Sequence, residues 1–163
     1  MIRTYVPADL DTLLEVFRDA VRVSARRDYT ESQVLAWAPD QLDRDGWVNR
    51  LAKLKVWVAE EGGAPLGFCT MEADGHVDHL YVHSASQRRG LATALLAEAE
   101  ACARAGGVVR LYTEASITAR PFFEHCGFRT LAEQTVRLRG EEFRNFKMEK
   151  VLRPDDPKAA RPE

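Results

Sequence analysis

The chain has 163 residues, of which 45% are hydrophobic and 29% are charged, a balance typical of a soluble globular protein of one domain. Lys and Arg total 23 against 25 for Asp and Glu, so the formal net charge of -2 gives no basic excess that would indicate a nucleic-acid partner. The 3 cysteines show no CxxC spacing, which predicts neither a disulfide framework nor a zinc site and favours a reducing cytoplasm.

The first third of the chain is predicted to form one strand and three helices. Thr30 and Gln33 have the spacing of a capping box, which indicates where the second helix starts. Acidic residues near the N-terminus and the lack of a long apolar run predict neither a signal peptide nor a membrane span. The predicted elements are a strand over residues 2–6, a helix after an N-cap at Asp9, a helix over 30–37 and a helix over about 42–54.

The remainder of the chain changes to strand-like periodicity, interrupted by two helices. The predicted elements are a hairpin of 56–59 and 66–71, a strand over 76–82, a helix over 90–105, a strand over 108–113, a helix over 118–126 and strands over 130–138 and 143–151. Residues 153–163 carry almost no apolar side chains, so a disordered tail is predicted there. Antiparallel strands followed by a strand–helix–strand unit indicate one mixed α/β domain over residues 1–152.

The loop before the helix at 90–105 carries the most informative pattern in the chain. A helix N-terminus presents unpaired N–H groups and a partial positive charge, so it favours an anion. Gly90 permits close approach to the backbone, and Arg88 and Arg89 add positive charge beside it. The pattern predicts a pyrophosphate site, with an ordinary turn and solvated arginines as the alternative.

Two segments resemble motifs of the GNAT superfamily of N-acetyltransferases. Gln-Arg-Arg-Gly-Leu-Ala at 87–92 resembles its Q/R-x-x-G-x-G/A pyrophosphate loop, and Ala119 to Phe128 resembles its A-x-x-F-Y-E-x-x-G-F helix. Both lie in the order that the family uses, with the strand at 108–113 between them. The segment 139–150 is similar to a YafP-like bacterial branch.

The resemblance implies the GNAT fold, of the α/β (mixed α+β) class. That fold has a central, mostly antiparallel mixed sheet of six to seven strands, one parallel pair that splays apart, and four or five flanking helices. It also implies acetyl-CoA as cosubstrate and direct acetyl transfer to a primary amine of a small molecule or protein. The implied acetyl-CoA contacts are the backbone of Leu80, Tyr81 and Val82, the loop residues Arg88, Arg89, Gly90, Leu91, Ala92 and Thr93, and Ser116.

Ser116 stands where many family members carry an asparagine that contacts the cofactor arm. Its hydroxyl can make the same contact or can cap the following helix. Phe123 stands where the family often has a proton-donating tyrosine, so the usual acid is missing. Solvent or another tyrosine would then protonate the thiolate. Tyr29 is a candidate, because its segment often lines the acceptor site, and the alternative is a packing residue.

His76 and Asp78 are the candidates for the base that removes a proton from the amine. His76 aligns with the glutamate base of a family branch, and Asp78 could be the base, orient His76 or bind a cationic acceptor. Both could instead be polar residues at a strand start. Strict alternation places Leu80 on their face and His79 on the other, so no metal site is predicted.

A non-catalytic module that binds acyl-CoA as a sensor is the alternative function, and the missing tyrosine favours it. A Rossmann-type nucleotide binder is excluded, because no glycine-rich loop follows the first strand. The expected partners are acetyl-CoA and an amine acceptor, with no nucleic acid and no membrane, in a cytoplasmic monomer or homodimer.

Overall fold

The order of strands and helices follows the prediction throughout residues 1–154, which the computed structural model describes. The elements are β1 (Ile2–Thr4), α1 (Leu10–Asp19), α2 (Glu31–Trp37), α3 (Arg44–Leu51), β2 (Lys55–Glu61), β3 (Ala64–Met71), β4 (Val77–Val82), α4 (Leu91–Ala105), β5 (Arg110–Ser116), α5 (Arg120–His125), β6 (Arg129–Leu138) and β7 (Glu141–Val151). The tail predicted to be disordered lies outside the described residues except for its first two.

Side chains cap the starts of α2 and α3. Thr30 and Gln33 form the predicted capping box, in which Thr30 Oγ1 accepts from the Gln33 N–H at 3.2 Å. The third helix starts later than predicted because the Asp43 carboxylate caps it, accepting from the Gly46 N–H at 3.0 Å, and it also ends earlier, at Leu51. Among residues 1–154, no helix is long and apolar enough to cross a membrane.

The seven strands form two antiparallel sheets instead of the single central sheet that was predicted. One sheet has the order β1-β2-β3-β4 and the other β5-β7-β6. They meet at one parallel bridge, between His76 and Tyr112, where the Tyr112 N–H donates to Gly75 O at 3.1 Å. Past this bridge β4 and β5 separate, which is the splayed parallel pair that was predicted.

Two layers of apolar side chains cover the faces of the four-stranded sheet. Helix α4 packs on one face, where Leu95 belongs to the same buried core cluster as Val77 and Val82 of β4. The region of α1 and α2 packs on the other, where Phe17 and Tyr81 have ring centroids 5.0 Å apart. This packing fixes β4 between the two layers and leaves the edge that faces β5 uncovered.

Strand β4 contains a bulge that the sequence pattern did not show. Thr70 of β3 pairs with His79, whereas the next residue, Met71, pairs with Val77, so Asp78 is the extra residue. The bulge turns Asp78 towards His79, with Oδ2 3.5 Å from Nδ1, while Leu80 packs with the α4 layer. The prediction that Asp78 shares a face with Leu80, opposite His79, was therefore wrong.

Helix α1 does not end at a free turn but continues into irregular helix. Residues Ala20–Ser24 form a π-helical turn and Ala25–Arg27 a 3-10 turn. Short π-helical segments are rare in proteins, and those that occur often lie at functional sites. This extension lies beside the uncovered edge of β4 and forms one wall of the site.

Candidate active site

A large cavity opens where β4 and β5 have separated. Its volume is about 510 Å³, within the range of pockets that hold extended small molecules. Its walls come from four segments: the extension of α1, the end of β4, the start of α4 and the region between β5 and α5. Of the predicted acetyl-CoA contacts, the cavity is lined by Leu80, Tyr81, Val82, Arg88, Gly90, Leu91, Ala92, Thr93 and Ser116.

The start of α4 presents backbone N–H groups to this cavity. Gly90 is the N-cap with a φ of 78°, and no side chain caps the helix. The first residues of a helix have no intrahelical acceptor for their N–H groups, so Leu91, Ala92 and Thr93 keep theirs for a ligand. Their position at the positive end of a helix of 15 residues favours an anion.

Contacts with α1 and its extension hold the loop before α4 in place. The Asp19 carboxylate accepts from the Ser84 N–H at 2.6 Å and from the Ser84 hydroxyl at 3.0 Å. Gln87 Nε2 donates to Ser24 Oγ at 2.6 Å. Because these contacts fix both the approach to the loop and its first residue, the N–H groups that follow are preorganised.

The side chains of the two arginines in the loop, Arg88 and Arg89, have different neighbours. Arg88 lines the cavity and has a φ of 62°, an uncommon backbone conformation for a residue with a side chain. Arg89 forms an ion pair with Glu61 at the end of β2 and is not among the residues that line the cavity. The structure therefore brings Arg88 to the predicted site and places the Arg89 side chain beside it.

The edge of β4 supplies further backbone groups. Tyr81 and Val82 pair with β3 on one side. On the other side, the hydrogen-bonded contacts with β5 lie at the start of β4: the His76–Tyr112 bridge and the hydrogen bond from Thr113 Oγ1 to Val77 O at 2.8 Å. Backbone N–H and C=O groups need partners, so this open edge can pair with the amides of an extended ligand. The edge runs from the bridge to the start of α4.

Ser116 and Phe123 form the opposite wall. Ser116 Oγ accepts from the Ala119 N–H at 3.0 Å, so the hydroxyl caps the turn before α5. Capping was one of the two roles expected for Ser116, and contact with the cofactor arm was the other. It also lines the cavity. Phe123 is buried against Phe128, with ring centroids 5.0 Å apart, and contributes an apolar surface without a proton to donate.

A second, smaller cavity adjoins the first and shares Trp37, Tyr81 and Ser116 with it. Its volume is about 200 Å³. Aromatic rings make up much of its wall, and two polar side chains, Glu114 and Asn145, also line it. The remaining residues of its wall are Tyr29, Val136, Leu138 and Phe143.

The Tyr29 hydroxyl is held by two backbone groups. It donates to Arg144 O at 2.5 Å and accepts from the Ile117 N–H at 3.0 Å. Burial raises the pKa of Tyr29, so its proton is held firmly. These contacts join the segment before α2 to β7 and to the loop after β5, and they favour the packing role over the catalytic one.

Tyr29→Phe is therefore expected to lower the free energy of unfolding by about 1–3 kcal/mol, because two backbone groups lose their partner inside the protein. Turnover is expected to change by less than about threefold at a temperature where the variant is folded. Urea unfolding and an assay of CoA release measure the two effects. Unchanged stability with a large loss of turnover would instead identify Tyr29 as the acid.

His76 lies between two glutamates. Nδ1 is 2.7 Å from Glu72 Oε1, Nε2 is 2.6 Å from Glu114 Oε2, and the ring stacks on Tyr112 at 4.8 Å. Burial lowers the pKa of His76, but the hydrogen bonds to Glu72 and Glu114 outweigh it and the net pKa is raised. Because its pKa is raised, His76 is protonated more often near neutral pH than a free histidine, so less of it is available to accept a proton from the amine.

Asp78 belongs to the same charge network through Arg50. Arg50 Nε donates to Asp78 Oδ2 at 3.0 Å, and its terminal nitrogen donates to Glu72 Oε1 at 2.9 Å. Charges thus alternate from Asp78 through Arg50, Glu72 and His76 to Glu114. His76 and Asp78 line neither of these two cavities, whereas Glu114 lines the smaller one.

Sequence reasoning missed Glu114 and Asn145. Glu114 lies two residues from Ser116 on β5, so strand alternation places both on one face and could have drawn attention to it. No local pattern singles out Asn145, which joins the site only through the pairing of Ser116 with Asn145 across β5 and β7. Within residues 1–154, no group of three or more His, Cys, Asp and Glu side chains could hold a metal ion.

Comparisons with known proteins agree on one family. Residues 25–152 match the acetyltransferase (GNAT) domain family. The chain is 40% identical over 152 residues to the uncharacterized N-acetyltransferase YafP of Escherichia coli (strain K12), covering 90% of this chain and 93% of that protein.

Solved structures show the same architecture. A GCN5-related N-acetyltransferase from Rhodopseudomonas palustris superposes with a TM-score of 0.90 at 32% identity, covering 93% of this chain and 95% of that one. The PaiA N-acetyltransferase from Thermoplasma acidophilum, solved in complex with coenzyme A, has a TM-score of 0.77 at 19% identity, covering 93% and 98%.

Proposed function

The chain belongs to the GNAT acetyltransferase family, and on that premise we propose that it transfers the acetyl group of acetyl-CoA directly to a primary amine of a small molecule or protein. The transfer forms a bond between the amine nitrogen and the acetyl carbonyl carbon, and it breaks the C–S bond of the thioester. The amine enters as an ammonium ion and loses two protons in all. One ends on the CoA thiolate and the other in solvent.

The observation that carries this proposal is the continuity of the larger cavity. This cavity begins at the N–H groups of residues 90–93 and follows the open edge of β4. It ends at the wall that it shares with the smaller cavity. The N–H groups fit a pyrophosphate, and the edge of β4 fits the amides of an extended pantetheine arm. The coenzyme A complex of the Thermoplasma acidophilum protein, which shares this fold, supports the assignment.

The residues of the chain act mainly by alignment. Holding the thioester and the amine in adjoining cavities replaces a random encounter with a fixed approach, and the freed N–H groups of β4 stabilise the developing oxyanion. Glu114 is the carboxylate among the residues that line the smaller cavity, so we assign it the role of accepting the proton that the amine loses. His76 and Asp78 then support Glu114 through the charge network instead of acting as bases themselves.

Protonation of the thiolate is assigned to solvent. Phe123 offers no hydroxyl, and the Tyr29 hydroxyl already donates to Arg144 O. A thiol has a pKa near roughly 8.5, so water can supply the proton close to neutral pH. The same feature, Phe123, favours the second candidate, a module that binds acyl-CoA without turnover.

The proposed setting is the cytoplasm. Cys69 and Cys102 are free thiols. Cys69 is fully buried, and burial raises its pKa to about 12, so it stays an inert core thiol. Free cysteines of this kind suit a reducing compartment.

Two measurements on the unmodified protein test the function. We expect calorimetry to give a micromolar dissociation constant for acetyl-CoA, and a thiol assay to show CoA release that depends on added amine. Binding with no release across a broad panel of amines would favour the sensor. Absence of binding to acetyl-CoA and to longer acyl-CoAs would overturn both functions.

A further inference from the structure

The smaller cavity combines an aromatic wall with polar groups suited to a cation. Tyr29, Trp37 and Phe143 pack edge to face or tilted, with centroids 5.7 to 6.1 Å apart. Trp37 also faces Tyr81 at 6.4 Å. Such rings offer flat apolar surface to a ring and negative faces to a cation. With a volume of about 200 Å³, the cavity is smaller than those that hold drug-sized molecules.

The polar groups of the cavity lie on one face of β5 and β7. Ser116 pairs with Asn145, and Glu114 lies two residues before Ser116, so Glu114 and Asn145 are diagonal neighbours about 7–8 Å apart. Asn145 Oδ1 is buried and has no hydrogen-bond partner within residues 1–154. A buried acceptor without a partner is unfavourable, so a ligand that brings a donor gains from meeting it.

An ammonium group meets both requirements. It carries three donors and no acceptor, which matches a carboxylate on one side and an amide oxygen on the other. Among residues 1–154, no lysine or arginine lines this cavity. A carboxylate on the acceptor would therefore find no cation and would lie near Glu114, so amino acids are poor candidates.

From these observations, and resting on the proposed acetyl transfer, we propose that the acceptor is a small primary amine with a single flat aromatic ring and no carboxylate. Its ring lies among Trp37, Tyr81 and Phe143. Its nitrogen lies between Glu114 and Asn145, next to the wall that the two cavities share. Glu114 binds the ammonium, and His76 is a positioning residue that holds Glu114 by the hydrogen bond from Nε2.

The test compares matched amines in the CoA-release assay. Phenethylamine and phenylalanine share a ring and an amine and differ in one carboxylate, while spermidine and a lysine-containing peptide represent aliphatic and protein acceptors. We expect kcat/KM for phenethylamine to exceed each of the other three by about tenfold or more. Preference for phenylalanine, spermidine or the peptide would overturn the inference, while acetyl-CoA binding and CoA release would leave the proposed function standing.

Variants of the charge network test the assigned residues. Glu114→Gln is expected to raise KM for phenethylamine about thirtyfold and to leave the dissociation constant of acetyl-CoA unchanged. Glu98→Gln, a change at an exposed glutamate on α4, is the matched control and should alter neither value. An unchanged KM in Glu114→Gln would remove Glu114 from the acceptor site.

His76 is tested by rescue. His76→Ala should raise KM for phenethylamine about tenfold. In His76→Gln the amide N–H can still donate to Glu114, so KM should stay close to that of the unmodified protein. Both variants should bind acetyl-CoA as the unmodified protein does. Equal loss in the two variants would contradict a positioning role through this hydrogen bond.

Discussion

Gly90→Asp is expected to weaken acetyl-CoA binding by about tenfold to hundredfold compared with Gly90→Asn. Gly90 is the N-cap of α4 and lines the larger cavity, so an aspartate there brings a negative charge to the place assigned to the pyrophosphate. Two like charges about 5 Å apart repel by roughly 3 kcal/mol at an effective dielectric constant near 20, and solvent at the open side reduces this. Each 1.4 kcal/mol is about a tenfold change in affinity.

The asparagine variant makes this comparison specific for charge. Gly90 has a φ of 78°, a conformation that Asn and Asp tolerate better than other residues, and an added Cβ would meet no heavy atom within 4 Å. Strain and bulk are therefore nearly equal in the two variants. Calorimetry with acetyl-CoA gives the two dissociation constants, and urea unfolding checks that stability is matched. Equal affinities would mean that the pyrophosphate lies elsewhere.

Local patterns in the sequence predicted most of the fold. The capping box at Thr30 and the glycine at the start of α4 lie where the structure has those helix starts. Helix capping depends on residues three positions apart, and strand periodicity on neighbours two apart, so both can be read from a short segment. The loop to which the pyrophosphate is assigned was predicted from the same kind of local pattern.

Features that depend on the pairing of distant segments were not predicted. The bulge at Asp78 arises from the register between β3 and β4, and it moved this side chain to the other face of the strand. The ion pair of Arg89 needs Glu61, which lies 28 residues away. Glu114 and Asn145 come together only because β5 pairs with β7. Periodicity along one strand carries no information on its partner.

The assignment of bases changed for the same physical reason. His76 and Asp78 have the right residue types, but their partners Glu72, Arg50 and Glu114 come from three other segments. These partners turn two isolated candidates into one chain of alternating charges. Glu114, the last member of this series of charges, lines the smaller cavity. Removal of a proton from the amine, which was predicted for residues of β4, is therefore proposed for Glu114 on β5.

Gly75→Ala is expected to lower the free energy of unfolding by roughly 3–4 kcal/mol and to abolish acetyl-CoA binding. Gly75 has a φ of 100°, and an added Cβ would lie 2.2 Å from Arg110 O and 2.9 Å from Val108 Cγ1. The strained backbone conformation alone costs roughly 1–3 kcal/mol, and moving the backbone of the segment at Arg110 adds to it. That movement breaks the hydrogen bond from the Tyr112 N–H to Gly75 O.

Gly63→Ala separates the two contributions. Gly63 has a φ of 82° in the turn between β2 and β3, and an added Cβ would meet no heavy atom within 4 Å. This variant carries the conformational strain alone, so we expect a loss of about 1–2 kcal/mol with normal acetyl-CoA binding. Urea unfolding and calorimetry measure both variants. If Gly75→Ala lost no more than Gly63→Ala, β4 and β5 would not depend on this close approach. If it loses binding as well as stability, the cavity depends on the His76–Tyr112 bridge between the two sheets.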